Sequence, residues 1–337
     1  MAGFILAATL WALVALAVVA AYINGFTETN IDNAHRTKLM LQAELDRRST
    51  EATLLYLLAT NRMSPRSLLI EYEQRFSDLD TRLDDEADSE LSVAGVRYAG
   101  LGDTAFSIQD ENGLVSVNSP RDPKFAAMMK SVGVSAPDLA RLIPRIADYI
   151  DRDDRLSLDG AETNAYREAE QPPPPNWFLQ TPMELSRVLG AADLVDHGQW
   201  RRLRNMATPR LLVSVNFNTM PEDVVAAVLG VEREALDGFF AERAENRIRS
   251  VDQLLELTGT RPAFNPGLMA TTPSYFLRLT TWWVGGGPRT VVGITLTPGS
   301  MITPWRTEYR YSEPVDRAAS LEETQVPLLG GTAPDPV

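Results

Sequence analysis

The alternation of apolar and charged positions separates an apolar N-terminal segment from a mixed body. Residues 1–24 carry no charged side chain, and residues 3–23 are almost continuously apolar. A helix of roughly 20 residues, at about 1.5 Å per residue, crosses the ~30 Å hydrocarbon layer of a bilayer. Trp11 within the run and Tyr22 near its end are typical of a spanning helix with an interfacial anchor. The pattern therefore predicts a transmembrane helix over residues 4–23.

The helical pattern continues beyond the apolar segment. Leucines alternate with charged residues as far as residue 61, and the first proline is Pro65. A single helix over residues 4–61 would be roughly 85 Å long. Its second half is amphipathic, which predicts that it lies on a sheet. The absence of a sustained heptad seam disfavours the alternative, a coiled-coil dimer.

The body alternates between strand-like and helix-like patterns. Residues 105–109 and 114–117 alternate around Asn112-Gly113, which predicts a β-hairpin. Helices are predicted at 124–149, 182–189, 222–229, 234–243 and 251–257, and strands at 275–279, 290–296 and 306–311. Strands on both sides of a helical block favour one α+β domain with an inserted α-domain.

A short internal repeat lies within the helical block. Residues 114–120 resemble residues 212–219, and each copy precedes a helix and a Gly-Val pair. Two copies predict duplicated helical modules, with chance similarity of short strings as the alternative.

Charge and residue types exclude several classes of function. The formal net charge of -13 argues against a nucleic-acid binder, since phosphates attract basic surfaces. The chain has no cysteine, and His35 and His197 are its histidines, which argues against thiolate and histidine metal sites. No GxSxG, HExxH, P-loop or GxGxxG motif occurs. We therefore predict that the protein is not an enzyme.

An acidic loop follows the predicted helix at 124–149. Six carboxylates crowd into it: Asp148, Asp151, Asp153, Asp154, Asp159 and Glu162. Like charges this close repel unless they are solvated or bound to a cation, and hard oxygen ligands on a loop suit Ca²⁺. Asp151, Asp153, Asp154 and Glu162 are the favoured ligands. The alternatives are a solvated loop whose aspartates cap helices, and a glycosidase pair, which lacks an evident aromatic cleft.

Several motifs resemble the K-type minor pseudopilins of bacterial type II secretion systems. They are the acidic run 148–154, residues 160–162 with Tyr166, the proline-rich loop to Asn176, residues 183–190, and the stretches 215–243 and 250–254. These motifs stand in the family's order and spacing. With the N-terminal segment, the resemblance covers nearly the whole chain as far as residue 311.

The resemblance implies a fold and a division into parts. The fold is α+β, with a pilin-like long N-terminal helix packed on an antiparallel sheet and an inserted all-α domain of two sterile-alpha-motif-like (SAM-like) units. The predicted parts are a prepilin leader remnant at 1–3, the transmembrane helix at 4–23, the pilin-like helix and first strands at 24–118, the inserted domain at 119–270, the C-terminal strands at 271–312, and a disordered tail at 313–337.

The N-terminus fits a prepilin signal, which a peptidase cuts on the cytoplasmic side while the helix is retained. Gly3-Phe4 is the predicted processing site. Ala8 occupies the position where most pilins carry Glu, and this absence is a feature of the K component. A cleaved secretory signal is disfavoured because the apolar run is too long. An ordinary signal anchor is the remaining alternative.

The resemblance also implies location, partners and a cofactor. We expect a single-pass protein of the bacterial inner membrane, with its globular part in the periplasm. Its expected partners are the other minor pseudopilins, of I and J type, at the tip of the pseudopilus, and secreted substrates are a further candidate. Calcium is the expected cofactor. No nucleic-acid partner is expected.

Two other functions compete with this one. Residues 215–259 resemble a helix-hairpin-helix that binds the DNA backbone, but Glu232 would place negative charge toward phosphate. A plain membrane-anchored periplasmic protein is the second rival. Trp282-Trp283, beside a predicted strand, is either a partner contact or, for at least one of the two rings, part of the core.

Overall fold

The N-terminal helix is the longest element of the protein. The computed structural model describes residues 2–70, 89–262 and 264–313. Helix α1 spans Ala2–Thr60, 59 residues, which confirms the predicted continuous helix. Among the described residues, one helix contains an apolar window long enough to cross a membrane, with a mean hydropathy of 1.9 and no buried residue. A long apolar stretch without protein contacts agrees with a lipid-facing segment.

The C-terminal end of α1 packs on an antiparallel sheet. The strand order is β3-β4-β7-β8-β9, and a separate two-stranded ribbon is formed by β1 and β2. The strands are β1 Ser67–Ile70, β2 Ser89–Ser92, β3 Ala94–Ala99, β4 Thr104–Asp110, β7 Phe276–Trp283, β8 Arg289–Leu296 and β9 Trp305–Glu313. Leu54 and Leu58 of α1 belong to the same buried cluster as Leu277 and Leu279 of β7. Because side chains alternate along a strand, Arg278 and Thr280 lie on the opposite face.

The helical domain is inserted between β4 and β7. Its helices are α2 Pro123–Ser131, α3 Ala136–Ile150, α4 Thr163–Glu168, α5 His197–Met206, α6 Glu222–Leu229, α7 Asp237–Glu245 and α8 Val251–Thr258. Phe125, Ile146, Phe217 and Phe239 are fully buried in a core separate from that of the sheet. The predicted α+β fold with a helical insertion is confirmed.

The predicted hairpin around Asn112-Gly113 is wrong. Strand β4 pairs with β3 and β7, while Glu111–Gly113 forms a short 3₁₀ helix capped by the Asp110 carboxylate. Strand β5, Val115–Ser116, pairs in parallel with β6, Ala207–Thr208, inside the helical domain. The insertion therefore begins near residue 111, before the predicted boundary at 119, because Val115 and Val117 pack in the helical core.

Two other helix predictions need correction. The predicted helix 124–149 is two helices, α2 and α3, separated at Val132–Ser135, where the Ser135 hydroxyl caps α3. The predicted helix at 182–189 is a 3₁₀ helix, Pro182–Arg187. The predicted sequence repeat has a structural counterpart, although its register is shifted.

That repeat places two asparagines in equivalent roles. The Asn118 amide accepts from the Leu179 N–H (2.8 Å) and donates to the Leu179 carbonyl (2.9 Å). The Asn218 amide makes the same pair of bonds with Ile248, at 2.8 and 3.0 Å. A buried side-chain amide that both donates to and accepts from the backbone of one residue holds that residue's segment in place. Asn118 therefore corresponds to Asn218, two residues beyond the Asn216 that sequence similarity aligns with it.

A buried carboxylate joins the sheet to the helical domain. Asp110 ends β4 and is fully buried. Its Oδ1 accepts hydrogen bonds from the Asn112 N–H and from the N–H and hydroxyl of Ser274, while its Oδ2 accepts from Asn216 and Thr219. The two segments that connect the sheet to the helical domain, near Asn112 and near Ser274, thus meet the helical-domain residues Asn216 and Thr219 at one side chain.

Candidate metal centre

Three of the predicted acidic residues converge at the C-terminal end of α3. Asp148 lies in the last turn of α3, Asp151 is the residue that ends it, and Glu162 precedes α4. One carboxylate oxygen from each residue forms a group whose members all lie within 4.8 Å of one another. Asp148 is fully buried and Glu162 is 7% exposed. The loop 152–161 therefore brings Glu162 back onto the end of the helix.

Most oxygens of this cluster have no hydrogen-bond donor. Asp148 Oδ1, Asp151 Oδ1 and both Glu162 oxygens are buried and unpartnered among the described residues. By contrast, Asp148 Oδ2 accepts from the Ser157 N–H at 3.1 Å, and Asp151 has a backbone hydrogen bond from Asp153. Buried carboxylates without donors are costly, since a charged group taken out of water needs a compensating partner. The cluster therefore has the chemistry of a cation site.

Protonation reflects the same crowding. Burial, followed by the charges of Asp148 and Asp151, raises the pKa of Glu162 to about 7. Burial and the neighbouring Asp153 and Asp148 likewise raise the pKa of Asp151. A bound cation would reverse these shifts, because an opposite charge favours the ionised form.

The surrounding backbone is shaped to admit these carboxylates. A Cβ atom at Gly160 would lie 1.9 Å from Asp148 Oδ2, so a side chain there would displace the carboxylate. Asn176 comes from the proline-rich loop with a φ of 49° and donates to Asp154 Oδ1 at 3.0 Å. Its own Oδ1 is buried without a donor. Asn176 was not predicted as a site residue, because it is separated from Glu162 in sequence by α4 and four prolines.

The other predicted ligands lie outside the group of three. Asp153 and Asp154 are exposed and contribute charge near Glu162, and Asp153 Oδ1 accepts from the Arg155 N–H at 2.9 Å. Asp159 is exposed in a turn with a φ of 61°. Asp148, Asp151 and Glu162 are thus the residues of the predicted set that the fold brings together.

The arrangement suits a hard divalent cation. Calcium takes six to eight oxygen ligands on flexible loops, and neutral amide and backbone oxygens commonly complete the set. Asp148, Asp151 and Glu162 would hold it, and Asn176, whose amide oxygen is buried without a donor, contacts Asp154 of the same loop. The residues present therefore fit calcium.

The N-terminal residues that the sequence singled out lie at the start of α1. Gly3, Phe4 and Ala8 are part of the helix Ala2–Thr60. Their side chains lie outside the described residues, as does the predicted tail from residue 314 onward. The processing site therefore stays a prediction.

Fold and site together are a long N-terminal helix with an apolar segment, an antiparallel sheet, and a helical insertion that carries an acidic cluster. Residues 105–208 match the family model of type II secretion system (T2SS), protein K. A similar solved structure is the GspK-GspI-GspJ complex of the type 2 secretion system from enterotoxigenic Escherichia coli. That match has a TM-score of 0.53 and 15% identity, and it covers 84% of this chain and 100% of the other. No match is found among curated proteins.

The family match confirms the predicted resemblance, and the solved structure confirms the fold. Residues 105–208 are thus similar to protein K of the type II secretion system.

Proposed function

We propose that this protein sits at the tip of the periplasmic pseudopilus, assembles there with the minor pseudopilins of I and J type, and supports protein export across the outer membrane. The observation that carries the proposal is the match of residues 105–208 to protein K. The similar solved structure is a complex of three such components, which supports I-type and J-type partners.

The long N-terminal helix supports membrane anchoring. Its apolar half is exposed, whereas its second half covers the sheet. A helix of this kind holds the body above the inner membrane and leaves its apolar face for neighbouring pilin-like helices. Ala8 has no carboxylate to pair with the N-terminal amine of a neighbouring subunit, which suits a position at the end of a filament.

Co-purification tests the assembly. The full chain in mild detergent should elute as one complex with the I-type and J-type pseudopilins of the same secretion system. A major pseudopilin of that system is the control, since it should not replace either partner in the complex. Elution of the full chain alone, with folded partners in separate fractions, would contradict the proposal.

Mass spectrometry tests the processing. Expression with a prepilin peptidase should release a product that begins at Phe4 and is methylated there. Gly3→Leu should remain uncut, because the peptidase recognises the residue before the bond. An intact N-terminus in the unaltered chain would favour an ordinary signal anchor.

Calcium binding at the acidic cluster is a separate proposal. A ligand that binds the native state stabilises it by RT ln(1 + [L]/Kd), about 2.7 kcal/mol at 100 times Kd. Millimolar Ca²⁺ should therefore raise the melting temperature of the chelator-treated protein by several degrees. Glu162→Gln and Asp148→Asn should abolish this increase, while Glu168→Gln, an exposed change nearby, should preserve it. Equal melting with chelator and with Ca²⁺ would remove the proposal.

A further inference from the structure

A basic cleft lies between the sheet and the helical domain. The cavity is about 540 Å³ and is bounded by the face of the sheet opposite α1, the end of α5 and the start of α6. Four arginines line it: Arg97 of β3, Arg278 of β7, Arg289 of β8 and Arg204 of α5. Such a cluster is unexpected in a chain whose net charge is -13.

The four guanidinium groups do not have equal access to acceptors. Arg278 donates to the backbone carbonyls of Arg204, Asn205 and Ala207, at 3.1 to 3.2 Å, and so caps the C-terminal end of α5. By contrast, the Nε–H groups of Arg204 and Arg289 are buried with no acceptor among the described residues. A buried charged donor without an acceptor is costly, which points to an anionic ligand in the cleft.

Aromatic packing brings two of these guanidinium groups to one ring of the cleft. Arg289 lies over the Trp282 ring, 5.0 Å from its centroid, and Arg97 lies over the same ring at 6.0 Å. Burial and the charge of Arg97 lower the pKa of Arg289, while the charge of Glu313 opposes this shift. The indole stabilises the Arg289 cation, as cation–π contacts do, and an anion in the cleft would stabilise it further.

The acidic residues that line the cleft offset the charge of Arg289 only in part, since its pKa stays lowered although the charge of Glu313 raises it. Glu222 is bonded to Arg233, and Asp223 is exposed at the rim. Glu313 is the cross-strand neighbour of Arg289 in the β8–β9 register. Among the described residues no ion pair joins Glu313 to Arg289, so a second carboxylate could still approach the Arg289 guanidinium.

We propose that this cleft is a carboxylate-binding site and that the acidic segment 314–337 of the same chain occupies it. The segment starts directly after Glu313, which lines the cleft. Its four carboxylate side chains, Asp316, Glu322, Glu323 and Asp335, outnumber its one basic residue, Arg317. At about 3.3 Å per residue, a fully extended stretch of nine residues reaches at most roughly 30 Å, so the chain length from Glu313 to Glu322 allows entry into the cavity.

A disulfide trap tests this occupancy in the full chain, which has no native cysteine. Ser320→Cys is combined with Asn205→Cys in the cleft or, as the control, with Asp103→Cys at the exposed β3–β4 turn. The cleft pair should form its disulfide at least tenfold faster than the control pair. Adding Arg289→Gln should bring the two rates together. Equal rates before that change, or a ratio that Arg289→Gln leaves unaltered, would overturn the proposal.

Peptide binding gives an independent measurement. A labelled synthetic peptide of residues 314–337 should bind a chain truncated after Glu313, and the full chain should bind it at least tenfold more weakly because its own segment competes. Arg289→Gln in the truncated chain should weaken binding tenfold. Equal binding to the full and truncated chains would overturn occupancy by the chain's own segment. Selective protection of Asn205→Cys by an added pseudopilin would assign the cleft to that partner and would also overturn the proposal.

Discussion

Replacing Asp110 with Asn should weaken the connection between the sheet and the helical domain. Five donors converge on the two oxygens of this fully buried carboxylate. Asn keeps the shape but replaces one oxygen with an NH₂ group, which faces two of those donors if it takes the place of Oδ2. A hydrogen bond to a charged group contributes about 1.5–3 kcal/mol, and an unsatisfied buried donor costs about 1–3 kcal/mol.

The expected loss is smaller than the sum of these bonds, because neighbours compensate. The Thr219 hydroxyl also reaches the Asn216 carbonyl at 3.4 Å, and the Asn216 amide also donates to the Thr272 carbonyl at 3.1 Å. Those alternatives reduce the cost of the change to about 3 kcal/mol in the free energy of unfolding. Asp110→Ala removes both oxygens and should cost more.

Urea denaturation of the full chain in mild detergent measures this loss. Trp282 in the sheet and Trp200 in the helical domain provide fluorescence from each part. The urea midpoint should fall in Asp110→Asn. Asp103→Asn is the same chemical change at an exposed position, and its free energy of unfolding should stay within about 0.5 kcal/mol of that of the unaltered chain. A loss in Asp110→Asn as small as in the control would refute the reasoning.

Two further changes test buried groups. Burial raises the pKa of Glu111, so the folded state binds its proton more tightly than the unfolded state does. Protonation of Glu111 therefore stabilises the folded state, and this stabilisation is lost as the pH rises above about 4.3. Glu111→Gln, which can still accept from the Tyr309 hydroxyl, should therefore gain melting temperature relative to the unaltered chain between pH 4 and pH 8, and parallel pH curves would contradict this. Gly160→Ala should displace the Asp148 carboxylate and lower the apparent calcium affinity, measured from the melting temperature, at least tenfold. Gly238→Ala, whose Cβ meets nothing within 4 Å, should leave that affinity unchanged.

The periodicity of the sequence predicted the elements that depend on local pattern. Helix α1 and helix α6 match their predicted ranges to within two residues, as do the bounds of β8. The pairing of strands depends on partners that are distant in sequence, and the hairpin that the local pattern predicted is wrong. The Asn112-Gly113 turn signal was outweighed by the Asp110 carboxylate, which caps a 3₁₀ turn and turns β5 into the helical core.

The acidic loop could be predicted in composition but not in geometry. Six neighbouring carboxylates indicated a cation site, and three of them meet. Sequence favoured Asp153 and Asp154, which are adjacent on the loop, over Asp148, which looks like an ordinary helical residue. The decisive facts are the burial of Asp148 and the approach of Gly160 to its carboxylate, and both depend on how the loop returns to the helix.

The basic cleft shows why net charge is a poor guide to local charge. A sum of -13 favours acidic surfaces throughout, yet strand alternation places Arg97, Arg278 and Arg289 on one face of the sheet. Period-two patterning predicts the face of each side chain within its own strand, but neighbours across strands follow from register, which the sequence alone did not provide. The insertion then covers that face with Arg204 and removes water from charges that would otherwise be solvated. This desolvation leaves the Nε–H groups of Arg204 and Arg289 without water, and it arises because a helical domain folds back over an open sheet.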